Sequence, residues 1–100
     1  MWHVEIHPLV WGEDFARLDV PTRQQITKAI RRKLATDPFS FGKPLSGSLR
    51  GYWRLRVGDY RVMYRIEKNR LVVLVIKVGM RRDAQIYLAA IPRLRKLGLL

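Results

Sequence analysis

Between Tyr52 and Val78 the sequence leaves the backbone little choice. Gly58-Asp59 has the chemistry of a tight turn, and the segments flanking it, Tyr52 to Val57 and Tyr60 to Glu67, alternate in side-chain type. That period is the mark of strands with one buried face, so the stretch predicts a hairpin in which Arg56 sits opposite Arg61. Successive side chains of a strand point to opposite faces. Arg54, Arg56, Arg61 and Arg65 then share one face, while Trp53, Leu55, Val57, Tyr60, Val62, Tyr64 and Ile66 share the other. Like charges directly across a sheet repel, so four arginines on one face oppose folding unless an anion or an acid neutralises them. One face is core, and the other is suited to meet negative charge. Lys68-Asn69 marks a second tight turn, and the run Leu71 to Ile76 beyond it is apolar on both faces. A strand of that kind, read from Arg70 to Val78 and ended by Gly79, belongs in the interior of a sheet.

The flanking sequence supplies the partners. Trp2, Val4 and Ile6 alternate with His3, Glu5 and His7 before Pro8, which predicts a half-buried strand. Trp11, Phe15 and Leu18 form one stripe of a short helix over Leu9 to Leu18. Asp19-Val20-Pro21 breaks the chain, and Thr22 with Gln25 predicts a capping box for a second helix whose buried stripe is Ile26, Ile30 and Leu34. Arg23, Lys28, Arg31, Arg32 and Lys33 clothe the rest of that helix. Pro38, Gly42, Pro44, Gly47, Ser48 and Gly51 predict a loop, basic at Lys43 and Arg50. From about Asp83 the helical pattern returns with Ile86, Leu88, Ala89, Leu94 and Leu97, and Pro92 predicts a kink or an early stop. The order strand, helix, helix, three strands, helix predicts an α+β fold. Its sheet is expected to be antiparallel with the helices packed on one face, in a single domain over residues 1–100.

The formal net charge is +12, and it is unevenly spread. Residues 1–37 hold six Lys/Arg against five Asp/Glu, whereas residues 38–100 hold fourteen against only Asp59, Glu67 and Asp83, a net of +11. Fourteen of the twenty cations are arginine, whose planar fork matches phosphate oxygens. A field of that sign recruits polyanions, nucleic acid first and acidic protein second. The absence of cysteine removes disulfides, thiolate catalysis and cysteine metal sites, and points to a cytoplasmic setting. Neither a leader nor a membrane-spanning run is expected, since the longest apolar stretch is far below the roughly 20 residues that cross a bilayer. No metal or nucleotide cofactor is expected, because neither a phosphate-cradling glycine loop nor a ligand cluster is present. His3 and His7 point to one face of their strand, but about 13 Å apart, too far to flank one phosphate as acid and base.

Leu55-Arg56-Val57-Gly58-Asp59-Tyr60-Arg61-Val62-Met63-Tyr64, then Ile76-Lys77-Val78-Gly79-Met80-Arg81-Arg82, then Tyr87, resemble the RelE branch of the RelE/ParE toxin superfamily. The Pro-Leu-x-Gly loop at Pro44 to Gly47 fits the same order, and the resemblance covers nearly the whole chain. It implies a small RelE-like domain and a toxin of a type II toxin-antitoxin system. The implied activity is that of an endoribonuclease, an mRNA interferase, cutting messenger RNA in the ribosomal A site and so inhibiting translation. The implied partners are the ribosome, the message and an acidic RelB-like antitoxin, which would wrap the toxin in a hetero-oligomer and cover the arginine face or displace the C-terminal helix. In the implied chemistry the RNA 2′-hydroxyl attacks the adjacent phosphate and expels the 5′-oxygen, without a metal. The resemblance assigns Arg61 to charge growing on the phosphate, Arg81 to the neighbourhood of the leaving oxygen and Tyr87 to holding the substrate. Arg54 stands where relatives often carry a basic residue that activates the nucleophile. Arg56, Arg65, Lys43, Arg50, Lys77 and Arg82 are the further cations expected to bind RNA.

Two positions depart from a common pattern of that family: Tyr52 replaces a lysine found in some relatives, and Arg54 is not lysine. Arginine does not give up a proton in proteins, so the general base is left open among Tyr52, Tyr87, Lys77 and the ribosome. Mainly electrostatic catalysis is therefore expected. Two other readings keep the same basic chain: a ParE-like toxin that binds DNA gyrase without cutting RNA, and a non-enzymatic basic RNA-binding module.

Overall fold

A computed structural model of the chain describes residues 1–80 and 85–99. Its centre is the predicted hairpin, β3 (Tyr52–Val57) and β4 (Tyr60–Glu67), in antiparallel register with Arg56 opposite Arg61 and Arg54 opposite Met63. Gly58 supplies the turn with a φ of 57°, a left-handed conformation that costs glycine little. β5 (Val72–Met80) runs antiparallel to β4, and Lys68–Arg70 joins them as a short 3-10 turn rather than a two-residue one. The five strands lie in the order β1-β5-β4-β3-β2. β5 is thus interior, as its apolar sequence predicts.

The strand pairing differs from expectation in two ways. β1 (His3–Ile6) lies parallel to β5, His3 facing Val72 and Ile6 facing Val75, so the sheet is mixed rather than antiparallel. The long excursion between the two strands, through helices and hairpin, provides the crossover that parallel pairing needs. An extra strand, β2 (Lys43–Pro44), forms within the predicted loop and pairs with β3.

Helices cover both faces of the sheet, not one. Leu55, Val57, Val62, Tyr64, Val73, Val75 and Val78 pack on one side against Val10, Phe15 and the stripe Ile26, Ile30 and Leu34 of α1 (Val20–Thr36). Met63 alternates with Val62 and Tyr64 along β4 and therefore faces the other side. There it joins Tyr52 and Ile76 against Ala90 and Leu94 of α3 (Gln85–Lys96). A strand apolar on both faces needs two covers, and α3 is the second. The β4–β5 register shifts between Met63 and Tyr64, from Lys77 to Val75, leaving Ile76 as an extra residue. That bulge sets Val75 and Val78 into the same core.

Residues Leu9 to Leu18 form a π-helical turn (Val10–Asp14) and a 3-10 turn (Phe15–Arg17), with Phe15 buried and Trp11 46% exposed. α1 is capped by Asp19, which accepts the Thr22 amide at 2.9 Å, so the expected Thr22/Gln25 box is replaced by a cap three residues earlier. Pro21 fits in the first turn, where an amide hydrogen has no helical acceptor. Asp37 repeats the device for α2 (Pro38–Phe41), accepting the Phe39 and Ser40 amides. Edge-to-face contacts link Trp2 to Phe39 at 5.6 Å and Phe39 to Trp53 at 5.5 Å, seating α2 on the sheet. The buried Tyr64 hydroxyl donates to the Pro38 carbonyl at 2.6 Å, and burial pushes that phenol well above its ordinary pKa. α3 continues through Pro92 to Lys96. Gly98, at φ 71°, turns the chain so that the Leu99 amide returns to the Leu94 carbonyl at 2.8 Å. Among the described residues no helix is long and apolar enough to cross a membrane.

Tyr64→Phe removes the donor and leaves the Pro38 carbonyl buried against the ring, so it should destabilise the fold by about 1–3 kcal/mol. Urea unfolding followed by circular dichroism measures this; an unchanged midpoint would count against the tether.

Candidate active site on the cationic face

The strand register sets the candidate side chains in rows. Lys43, Arg54, Met63 and Lys77 are successive neighbours from β2 to β5. Toward the hairpin tip the next row is Arg56, Arg61 and Gly79, and away from it lie Tyr52, Arg65 and Leu74. Directly opposed residues share a face. Arg54, Arg56, Arg61 and Arg65 therefore gather on the side that α3 partly covers. Arg61 is only 8% exposed, and its guanidinium donates to the Tyr60 carbonyl at 3.3 Å. Arg54 and Arg65 are half-buried, whereas Arg56, Lys43 and Arg50 are exposed. Arg50 follows the 3-10 turn Gly47–Leu49, beside the row-end residue Tyr52 in sequence.

Gly79 has a steric reason to be where it is. A side chain there would begin 3.2 Å from Cδ1 of Ile86, tighter than ordinary contact, so glycine lets the first turn of α3 approach β5 next to Arg61. Tyr87, half-buried on α3, packs against the second core cluster and so lies over the arginine side of the sheet. Beside this end of β5 is a cavity of about 440 Å³ lined by Tyr60, Lys77, Gly79, Met80, Ile86 and Arg17 among others. Arg81 and Arg82 lie outside the described residues. His3 is exposed on β1, across β5 from the arginines, and His7 Nδ1 accepts the Leu9 amide at 3.0 Å.

Two of the open candidates for a general base are already engaged. The Tyr52 hydroxyl donates to the Leu99 carbonyl at 2.5 Å, tying the chain after α3 to the sheet. Lys77, expected to meet RNA, has its ammonium 3.5 Å from Asp14 Oδ1 and a side chain only 16% exposed. Asp14 also accepts the Val78 amide at 2.8 Å and an Arg93 N–H at 2.7 Å. β1 stops opposite Val75, so the next outward amide of β5 would lack a strand partner, and Asp14 supplies the acceptor. Arg93 further donates to the Ile76 carbonyl at 3.2 Å.

A family model described as the ParE toxin of type II toxin-antitoxin systems, parDE, matches residues 5–85. The chain belongs to this toxin family. Among its relatives, Toxin YoeB of Mycobacterium bovis is 38% identical over 81 residues, 74% of this chain and 93% of that protein. Toxin RelG of Mycobacterium tuberculosis is 38% identical over 50 residues, and there the match spans 58% of the relative. In the crystal structure of the toxin-antitoxin complex RelBE2 from Mycobacterium tuberculosis, a chain superposes with a TM-score of 0.75 at 26% identity, covering 80% of this chain and 98% of that one. The fold of this toxin is accordingly the RelE fold.

The pairing of Asp14 with Arg93 is not legible in the toxin's sequence, because 79 positions separate them. Together they clamp the turn Val10–Asp14, β5 and α3, with side chains 5% and 9% exposed. Removing one partner of a buried pair strands the other charge, so Asp14→Ala should cost the toxin about 3 kcal/mol or more. Denaturant unfolding tests it, and a loss below about 1 kcal/mol, the ceiling for a solvent-screened pair, would show that the clamp is weak.

Proposed function

We propose that this toxin is an endoribonuclease that cuts messenger RNA, in the ribosomal A site, by attack of the RNA 2′-hydroxyl on the adjacent phosphate. The observation that carries this reading is the gathering of Arg54, Arg56, Arg61 and Arg65 on one face, with Arg56 and Arg61 in direct cross-strand register. Folding sets these like charges together at a cost, and a phosphodiester offsets it. Arg61, mostly buried, is suited to stabilise charge that grows on the phosphate, because fixed cations act most strongly where water is excluded. Arg81 is assigned to the leaving oxygen and Tyr87 to substrate holding. Arg54 and Arg56 flank the scissile group, and Arg65, Lys43, Arg50 and Arg82 extend the grip along the strand of RNA. With Tyr52 and Lys77 held in structural contacts, Tyr87 and the ribosome are left to accept the 2′-hydroxyl proton, and catalysis rests mainly on cations and needs no metal. The ribosome orients the RNA.

An acidic RelB-like antitoxin is the proposed inhibitor, binding to form a hetero-oligomer in the cytoplasm. The excess positive charge of residues 38–100 supports it. So does the solved RelBE2 toxin-antitoxin complex of a relative. The ParE description of the matching family supports a second reading, in which the same fold binds DNA gyrase and leaves RNA intact.

Mapping messenger RNA 3′ ends during induced expression, with and without translation, separates the two. Cleavage confined to translated messages is expected; intact messages with inhibited gyrase would overturn the ribonuclease reading. Arg61→Ala and Arg81→Ala should each lower cleavage of ribosome-bound RNA by on the order of a hundredfold or more. Full activity in either variant would remove that residue from the mechanism. The antitoxin encoded beside the toxin should co-elute with it in size-exclusion chromatography, in a complex that salt weakens.

A further inference from the structure

Beyond the arginine face, a concavity beside the hairpin has only cations among its charged lining residues. It lies between α1 and the hairpin tip, has a volume of about 350 Å³, and is bounded by Gln25, Lys28, Arg32, Lys33, Arg56 and Gly58 among others. The cavities beside α3 contain Asp14, which neutralises Lys77 and Arg93. No carboxylate lines this one. Lys28, Arg32 and Arg56 are exposed, and none of the three is in an ion pair among the described residues. Lys28 and Arg32 stand one helical turn apart, an arrangement that disfavours the helix by itself, and Arg56 adds a third like charge from the facing strand.

Arg56 connects the groove to the sheet. It belongs to the row with Arg61, and it also lines the groove, because the outer edge of β3 beyond Arg54 carries no strand: β2 pairs only with Trp53 and Arg54. The positive surface therefore runs from the cationic face around the open edge of β3 onto α1. We infer that this groove is a second phosphate-binding site, which holds the RNA backbone where it leaves the cationic face. The occupant is a single strand of RNA, whose backbone passes from one cation cluster to the next through Arg56; the groove grips phosphate without reading bases. The inference rests on the proposed ribonuclease function and adds where the rest of the substrate lies.

The test compares the intact toxin with the triple variant Lys28→Gln, Arg32→Gln, Lys33→Gln, in which glutamine keeps good helix propensity. Binding of single-stranded oligouridines of about 4 and about 16 nucleotides is measured over a series of salt concentrations. For the long RNA the variant should bind about tenfold more weakly at low salt, and its salt slope should fall by about 2, the counterion release of three lost contacts to a single strand. The short RNA should bind both proteins alike. Equal weakening for both lengths would reduce the groove to part of a general field and overturn the proposal. Unchanged RNA binding combined with loss of the antitoxin complex would also overturn it, and would make the groove a protein-docking surface. An intact toxin that binds neither oligonucleotide yet cuts translated messages would overturn the groove and leave the ribonuclease reading standing, whereas loss of both binding and cutting would bring down that reading itself. Matching thermal unfolding of the two proteins guards against misfolding.

Discussion

The cationic side of the sheet has to be packing surface and charged surface at once. Met63, fully buried under α3, is the cross-strand partner of Arg54 and lies two residues from Arg61 on the same strand. Apolar and charged side chains sit side by side within the rows, Met63 opposite Arg54 and Tyr52 opposite Arg65. The apolar residues Tyr52, Met63 and Ile76 hold α3, and the arginines fill the positions between and beyond them. Because α3 covers the face only in part, Arg61 is sunk to 8% exposure while Arg56 stays in solvent. A guanidinium at that depth is both costly to the fold and strong toward an anion, by the same loss of solvent screening.

α3 keeps its place by contacts near its C-terminal end. Arg93 reaches Asp14 and the Ile76 carbonyl, and Leu99 accepts the Tyr52 hydroxyl. At its other end Gly79 permits the approach of Ile86. The helix that bears Tyr87 is thus fixed by an ion cluster and a hydroxyl as well as by Ala90 and Leu94. Those fixtures lie on the sheet's α3 side, so a change to any of them bears on the site as well as on stability.

What the sequence made legible follows from the range of the forces involved. The β3–β4 register was readable because Gly58-Asp59 sets it locally, and the arginine face then follows from the pleat alone. The interior place of β5 was readable from residues apolar on both sides. The parallel seat of β1 was not, since nothing in His3 to Ile6 says which edge it joins. For the same reason the second helical cover escaped, although β5's doubly apolar run implied one. The cap of α1 was misplaced by a short step: Thr22 with Gln25 satisfies a capping pattern, but Pro21 tolerates a start only near itself, and Asp19 reaches the Thr22 amide. At the site, Arg54, Arg56, Arg61 and Arg65 emerged from alternation. The engagement of Lys77 with Asp14 did not, because it joins positions 63 apart.

The seam between β1 and β5 has a consequence for how the chain comes into being. His3 pairs beside Val72, so the opening strand waits for residues made 69 positions later. At about 5–20 residues per second a ribosome needs several seconds to produce that partner. For that interval Trp2, Val4 and Ile6 have no sheet to join, while the hairpin beyond them zips from its own turn within microseconds of emerging, on the order of 1–10 μs. Pairing of β1 with β5 therefore comes after the β3–β4 hairpin has closed.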